Sequence, residues 1–144
     1  MQLDQTVEFY IKTTSMALKR MYNKIGAEYG ITQTIGFVLV YIHKEGIAPG
    51  KLAEKLGMRK SSLTRLLSKL EKDGWITRKA DNDDKRIIKL YLTPLGLDKR
   101  RVAKETVINF NQEILDQVET FELEDFIHVS NLITEQVEKE VQKE

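Results

Sequence analysis

The residues best equipped for chemistry lie between Met58 and Trp75, in the stretch MRKSSLTRLLSKLEKDGW. Arg59, Lys60, Arg65 and Lys69 supply cations there, and Ser61, Ser62 and Thr64 supply short hydroxyls. Leu63, Leu66, Leu67 and Leu70 recur at i, i+3, i+4, i+7, which predicts a helix with a single apolar stripe. At about 100° per residue, Ser61, Arg65, Ser68 and Lys72 then fall on the opposite side, flanked by Ser62, Thr64 and Lys69. No acid stands between Arg59 and Lys69. Nothing on that face repels a phosphate, and small hydroxyls let a backbone or base edge come close. Such a helix suits a DNA major groove. Taken alone, it is equally consistent with an ordinary solvated face, so the neighbouring elements have to decide.

Upstream, Pro49 at a first helical position opens a short helix, PGKLAEKLG, with Leu52, Ala53 and Leu56 pointing inward. Gly57 follows where a crowded backbone favours glycine. A short helix, a turn of a few residues containing glycine, and a second helix with a polar, basic outer face form the helix-turn-helix order. Downstream of Gly74 the period changes. Trp75 to Lys79 and Ile87 to Leu92 read as strands, and the ADNDDKR segment between them reads as a turn. A hairpin directly after a groove-reading helix is a wing placed to reach the adjacent minor groove, where an arginine senses width and negative potential. Arg86 is the candidate. The acids at 81, 83 and 84 look wrong for DNA, and the simplest account has one of them pair with Arg86 or Lys85 to shape the tip.

Composition agrees with this arrangement. The 144 residues are 41% hydrophobic and 31% charged, a globular balance long enough for one domain with helical extensions. The formal net charge is only +1, but it is unevenly spread. Lys51 to Lys79 holds nine basic residues against three acids, whereas Val102 to Glu144 holds three against eleven. A basic middle meeting a polyanion and an acidic C-terminal part with another task are implied. There is no cysteine, which excludes disulfides and thiolate metal sites. No long apolar run and no leader-like start are visible, so the cytoplasm is the expected location.

The remaining segments read as helices that hold the reading head. Leu3, Val7, Tyr10, Ile11, Thr14, Leu18, Met21 and Ile25 share one face of a first helix ending near residue 28. Thr32 is the N-cap expected for a second helix with Ile35, Val38, Leu39 and Ile42 inward and Gly46 as its stop. Thr93 and Pro94 open a fifth helix whose apolar face runs through Val102, Val107, Phe110, Ile114 and Val118. A last helix, from about Glu122 to Val141, carries Leu123, Phe126, Ile127, Ser130, Ile133, Val137 and Val141 on one side. So many apolar stripes do not fit beneath a DNA-binding unit of about 65 residues and need each other or a second chain.

Three segments together resemble the MarR family of winged helix-turn-helix transcription regulators: LAEKLGMRKSSLTRLLSKLEKDGWI, the wing DDKRIIKLYLT, and the TPLG that opens the next helix. Asp84 and Arg86 match the wing's Asp-x-Arg pair, with Leu92, Thr93 and Gly96 at the expected spacing. The resemblance implies a mainly α fold with a small β-hairpin wing and dimerisation helices at both termini. It divides the chain into an N-terminal dimerisation helix (1–30), a winged helix-turn-helix (31–93) and C-terminal dimerisation helices (94–144). It implies a homodimeric repressor on a palindromic operator, two recognition helices lying about 34 Å apart. Arg59, Lys60, Ser61, Ser62, Thr64, Arg65, Lys69 and Arg86 are then the DNA-binding residues and Asp84 the wing support. Arg65 is the foremost base reader because a guanidinium can bond a guanine edge bidentately. Two departures stand out: Arg59 and Lys60 occupy positions where the family often places a helix-capping residue, and Ala48 is a weak cap before Pro49.

No enzyme is expected. The chain has no G-x-S-x-G, Gly-rich phosphate loop or H-E-x-x-H, and its two histidines, His43 and His128, lack ligand-spaced neighbours. No metal or cofactor is expected either. The resemblance also implies relief by a small aromatic or lipophilic effector. Tyr10, Met21, Tyr22, Phe37 and Tyr41 suit such a space, yet core packing explains them equally well, and no ligand site is assigned. The competing expectation is a winged-helix interaction adapter that uses its acidic C-terminal helices on a partner protein without sequence-specific DNA binding.

Overall fold

The structure, a computed structural model, describes residues 2–143. In chain order the helices are α1 (Val7–Gly26), α2 (Gln33–Tyr41), α3 (Pro49–Leu56), α4 (Lys60–Lys72), α5 (Pro94–Leu115) and α6 (Thr120–Val141), with strands β1 (Ile76–Ala80) and β2 (Ile88–Leu92) between α4 and α5. Short 3-10 turns at Leu3–Gln5 and Ala27–Tyr29 flank α1. Packing divides the chain into two compact units, one up to Val107 and one from Ile108 on.

The first unit closes around one apolar cluster. Ile35, Val38, Leu39 and Ile42 enter it from α2 and its C-cap, Leu52 and Ala53 from α3, and Leu63, Leu67 and Leu70 from α4. Trp75, Ile76 and Leu90 close it from the hairpin side, and Ala103 from α5. Leu39, Leu52, Leu63, Leu67 and Leu70 are at most 1% exposed; each such side chain contributes about 1.5–3 kcal/mol by leaving water. The stripe expected on α4 is therefore buried at Leu63, Leu67 and Leu70, with Leu66 packed at its edge.

Local signals set the ends of these helices. Thr32 caps α2 by accepting the Ile35 N–H at 3.2 Å, and Asn23 of α1 accepts the Gln33 N–H at 2.8 Å. These bonds satisfy donors that the helix start leaves orphaned. α2 ends at Tyr41, earlier than a stop at Gly46 would put it, because Ile47 must leave the helix to exchange backbone hydrogen bonds with Leu90. Gly57 ends α3 at φ 59°, a left-handed conformation open to glycine, and its geometry lets the Met58 N–H reach the Ala53 carbonyl.

The hairpin is antiparallel, pairing Ile76 with Leu92, Arg78 with Leu90 and Ala80 with Ile88. Beyond it, Thr93 accepts the Gly96 N–H at 3.1 Å and donates to the Gly74 carbonyl at 2.5 Å. Gly96 is buried against the chain at Trp75: a Cβ there would stand 1.9 Å from the Trp75 carbonyl oxygen. Lys99 donates to the Tyr29 carbonyl and lies 4.8 Å from the Trp75 ring centroid, and Arg100 donates to the Ile42 carbonyl at 3.1 Å. The start of α5 is thus fastened to the winged unit at several points.

The second unit is the end of α5, a turn, and α6. Val118, expected on the apolar face of the fifth helix, lies in the turn. A capping box explains this: Glu119 accepts from the backbone at Glu122, whose side chain accepts the Glu119 N–H, and the two begin a new helix at Thr120. No described residue from Ile108 on is fully buried, and Phe121, Phe126 and Val137 stand 61%, 68% and 55% exposed. On α1 no residue is buried either, and Val7, Tyr10, Ile11 and Met16 are exposed.

Candidate nucleic-acid interface

The apolar stripe of α4 turns the helix so that Arg59, Lys60, Ser61, Ser62, Thr64, Arg65, Ser68, Lys69 and Lys72 all face outward and are exposed. Among the described residues Arg59, Lys60 and Arg65 have no ion-pair partner, so their charge is available to an incoming anion. Lys69 differs: its ammonium sits 2.6 Å from Asp73, one turn on. That pair is exposed and worth about 0–1 kcal/mol, little resistance to a competing phosphate. Thr64 and Ser68 donate their hydroxyl protons to the carbonyls of Lys60 and Thr64, leaving oxygen lone pairs toward solvent. Arg59 at the N-cap makes no side-chain bond to the first turn, as its residue type implies, so the leading N–H groups of α4 receive no cap from it.

The wing carries its charges in a defined arrangement. Asp84 accepts the Arg86 backbone N–H at 3.0 Å and two guanidinium N–H groups at 3.1 Å, while the Arg86 side chain remains 91% exposed. The expected acid-to-Arg86 pairing is present, and Asp84 is the acid. The Arg86 guanidinium, and then its backbone N–H, hold the Asp84 carboxyl below its usual range; Asp84 in turn raises Arg86. Asp81 has a different partner, Lys89 at 2.5 Å, which the sequence reading does not single out. Lys89 holds the Asp81 carboxyl low, with the N–H groups of Asp84 and Asp83 assisting. Lys79 and Lys89 face each other across the hairpin, a repulsive placement relieved because Lys79 turns over the Tyr91 ring and Lys89 toward Asp81. One further ion pair, Arg78 to Glu71 at 2.9 Å, joins β1 to the last turn of α4.

Other candidate residues fall elsewhere. Tyr10 and Phe37 are exposed; Met21, Tyr22 and Tyr41 are half-buried, Tyr41 lying beneath the Lys55 ammonium. An open cleft of about 330 Å³ is lined instead by Ile42, His43, Lys44, Tyr91, Leu92, Leu97 and Arg100. His128 lies on α6, exposed, in the second unit.

A two-helix turn followed by a hairpin, with the second helix showing its basic face to solvent, defines a winged helix-turn-helix protein. The MarR family model matches residues 31–88. The HTH-type transcriptional regulator SarZ of Staphylococcus epidermidis is 30% identical over 143 residues, spanning 98% of this chain and 95% of that one. The transcriptional repressor MprA of Escherichia coli is 34% identical over 77 residues, 51% of this chain and 44% of that one. The solved S. aureus MepR–DNA complex has the same fold, with a TM-score of 0.85 at 19% identity over 94% of this chain and 99% of that one. The chain belongs to the MarR family, whose members are winged-helix transcription regulators and not enzymes.

Proposed function

We propose that this protein is a cytoplasmic, sequence-specific repressor that binds double-stranded DNA as a homodimer on a palindromic operator. The observation that carries this reading is the outward face of α4, where, among the described residues, Arg59, Lys60 and Arg65 have no ion-pair partner and no acid intervenes between Arg59 and Lys69. Phosphates take the lysines and Arg59, the Arg65 guanidinium reads a base edge, and Arg86 enters the neighbouring minor groove. Residues 31–93 form the DNA-binding part; 1–30 and 94–144 supply the dimer helices. The exposed apolar side chains of α1 and α6 support the second chain, since a monomer rarely leaves so many uncovered. MprA, named a repressor, and MepR, solved on DNA, support repression and the duplex partner.

An effector of small aromatic or lipophilic type is part of this reading, acting by favouring a dimer whose recognition helices no longer match successive grooves. Titration of labelled duplexes from the DNA flanking its own gene, followed by anisotropy, tests the proposal. It requires one fragment to bind far more tightly than competitor DNA, with affinity falling steeply with salt. Equal affinity for all fragments refutes it and favours the adapter.

A further inference from the structure

The wing tip contains a second carboxylate whose bonds point inward. Asp81 follows the last strand pair, Ala80 with Ile88, and its own N–H donates to the Ile87 carbonyl at 2.8 Å. Its side chain is only 13% exposed although it lies on a hairpin tip. One carboxylate oxygen accepts the N–H groups of Asp83 and Asp84, at 3.3 and 3.4 Å; the other takes the Lys89 ammonium at 2.5 Å. Asp84, held through its backbone in this way, uses its own carboxylate on the Arg86 N–H and guanidinium. Two carboxylate-centred turns are therefore nested, and the direction of Arg86 depends on both.

We infer that Asp81 is a positioning residue for DNA binding, acting through Asp84 to aim the Arg86 guanidinium, with Lys89 as its clamp. The inference rests on the proposed role of Arg86 at the DNA. It opposes the simplest electrostatic expectation, in which removing an acid beside a phosphate backbone tightens binding. Asp81 and Arg86 form a chain through one intermediary, so their effects on affinity must be non-additive. The depressed carboxyl of Asp81 is consistent with this, because the clamp is fully charged at neutral pH.

The test is a double-mutant cycle of Asp81→Ala and Arg86→Ala in the full-length protein. Affinity is measured on a duplex carrying the sequence that the wild-type protein protects in footprinting, and exchange of the Asp84 and Arg86 amides is followed in the free protein. Expected are losses of at least about fivefold for each single variant, a double variant no weaker than Arg86→Ala, and faster amide exchange in Asp81→Ala at an unchanged unfolding temperature. Wild-type or tighter binding by Asp81→Ala, or losses that multiply in the double variant, overturns the inference alone. Wild-type binding by Arg86→Ala removes the wing arginine from the interface, and the role of Asp81 falls with it.

Discussion

Arg65→Ala is the most informative single change, because Arg65 is exposed, has no ion-pair partner among the described residues and lies opposite the stripe that holds α4 in place. Its loss leaves the core untouched, and alanine is the better helix former, so folding stability should change by no more than about 0.5 kcal/mol. Bidentate guanine recognition is worth about 1–3 kcal/mol of discrimination. In the proposed homodimer the contact is made twice, giving about 2–6 kcal/mol, or roughly 30-fold to roughly 20,000-fold in operator affinity. Non-specific affinity should fall far less. Lys60→Ala provides the contrast: as a phosphate contact it should weaken all duplexes alike and lower the salt slope by about 0.9 per contact, about 1.8 per dimer. Anisotropy on operator and scrambled duplexes across a salt series reads both quantities. If Arg65→Ala weakens the two duplexes equally, Arg65 is a phosphate contact and the assignment of base reading to it is wrong. Wild-type affinity would remove Arg65 from the interface.

Gly96→Ala should destabilise the winged unit by about 1–3 kcal/mol, since its Cβ would stand 1.9 Å from a backbone oxygen that cannot easily move; a urea midpoint equal to wild type would contradict that packing. Leu67→Ala should cost about 2–5 kcal/mol in the same denaturation experiment, as it empties a fully enclosed site behind α4. Phe126→Arg, at an exposed apolar position of α6, should turn a dimer into a monomer by sedimentation and abolish tight operator binding; a variant still dimeric would place the contact elsewhere. Asp81 and Asp84 both have depressed carboxyls, owing first to Lys89 and first to Arg86 respectively. Their contribution is therefore present above the ordinary carboxylate pKa of about 4 and is lost only as pH falls through the depressed values, so the wing should be unaffected between about pH 6 and 8. Carboxyl titration by NMR with midpoints at or above the ordinary value would contradict the two latches.

Features with a local cause could be read directly from the chain. The leucine spacing that orients α4, the Thr32 cap and the proline at the start of α3 all act within one or two turns of themselves, and each appears in the structure as its residue types imply. The Asp84 to Arg86 pair is also local. Asp81 to Lys89 is not, because it depends on the hairpin register, which puts residue 89 opposite 79 and within reach of 81. Arg78 to Glu71 and Lys99 over Trp75 join elements whose approach no periodicity specifies. The start of α6 was legible in principle through Glu119 and Glu122, but the first apolar repeat draws attention later in the segment. The buried Gly96 becomes intelligible only once the Trp75 carbonyl stands above it.

The ion pairs also divide α4 along its length. Among the described residues its N-cap Arg59 and, in its first half, Lys60 and Arg65 have no ion-pair partner, whereas in the second half Lys69 is held by Asp73 and Glu71 by Arg78 of the wing strand. Lys72, with no ion-pair partner among the described residues, stands in the last turn, where a cation complements the helix dipole. The proposed DNA contact would therefore fall on the leading turns, the part of a recognition helix that reaches base edges, while the trailing turns are tied to the hairpin through Arg78 and Glu71. On the proposed docking, charge placement favours one orientation of the helix: reversing it would bring Glu71 and Asp73 toward the phosphates and leave Arg59 and Lys60 without them. The three acids of the wing tip do not contradict this polarity. Asp81 and Asp84 each neutralise a cation whose position they hold, and only Asp83 is left without an ion-pair partner among the described residues, beside an equally unpaired Lys85.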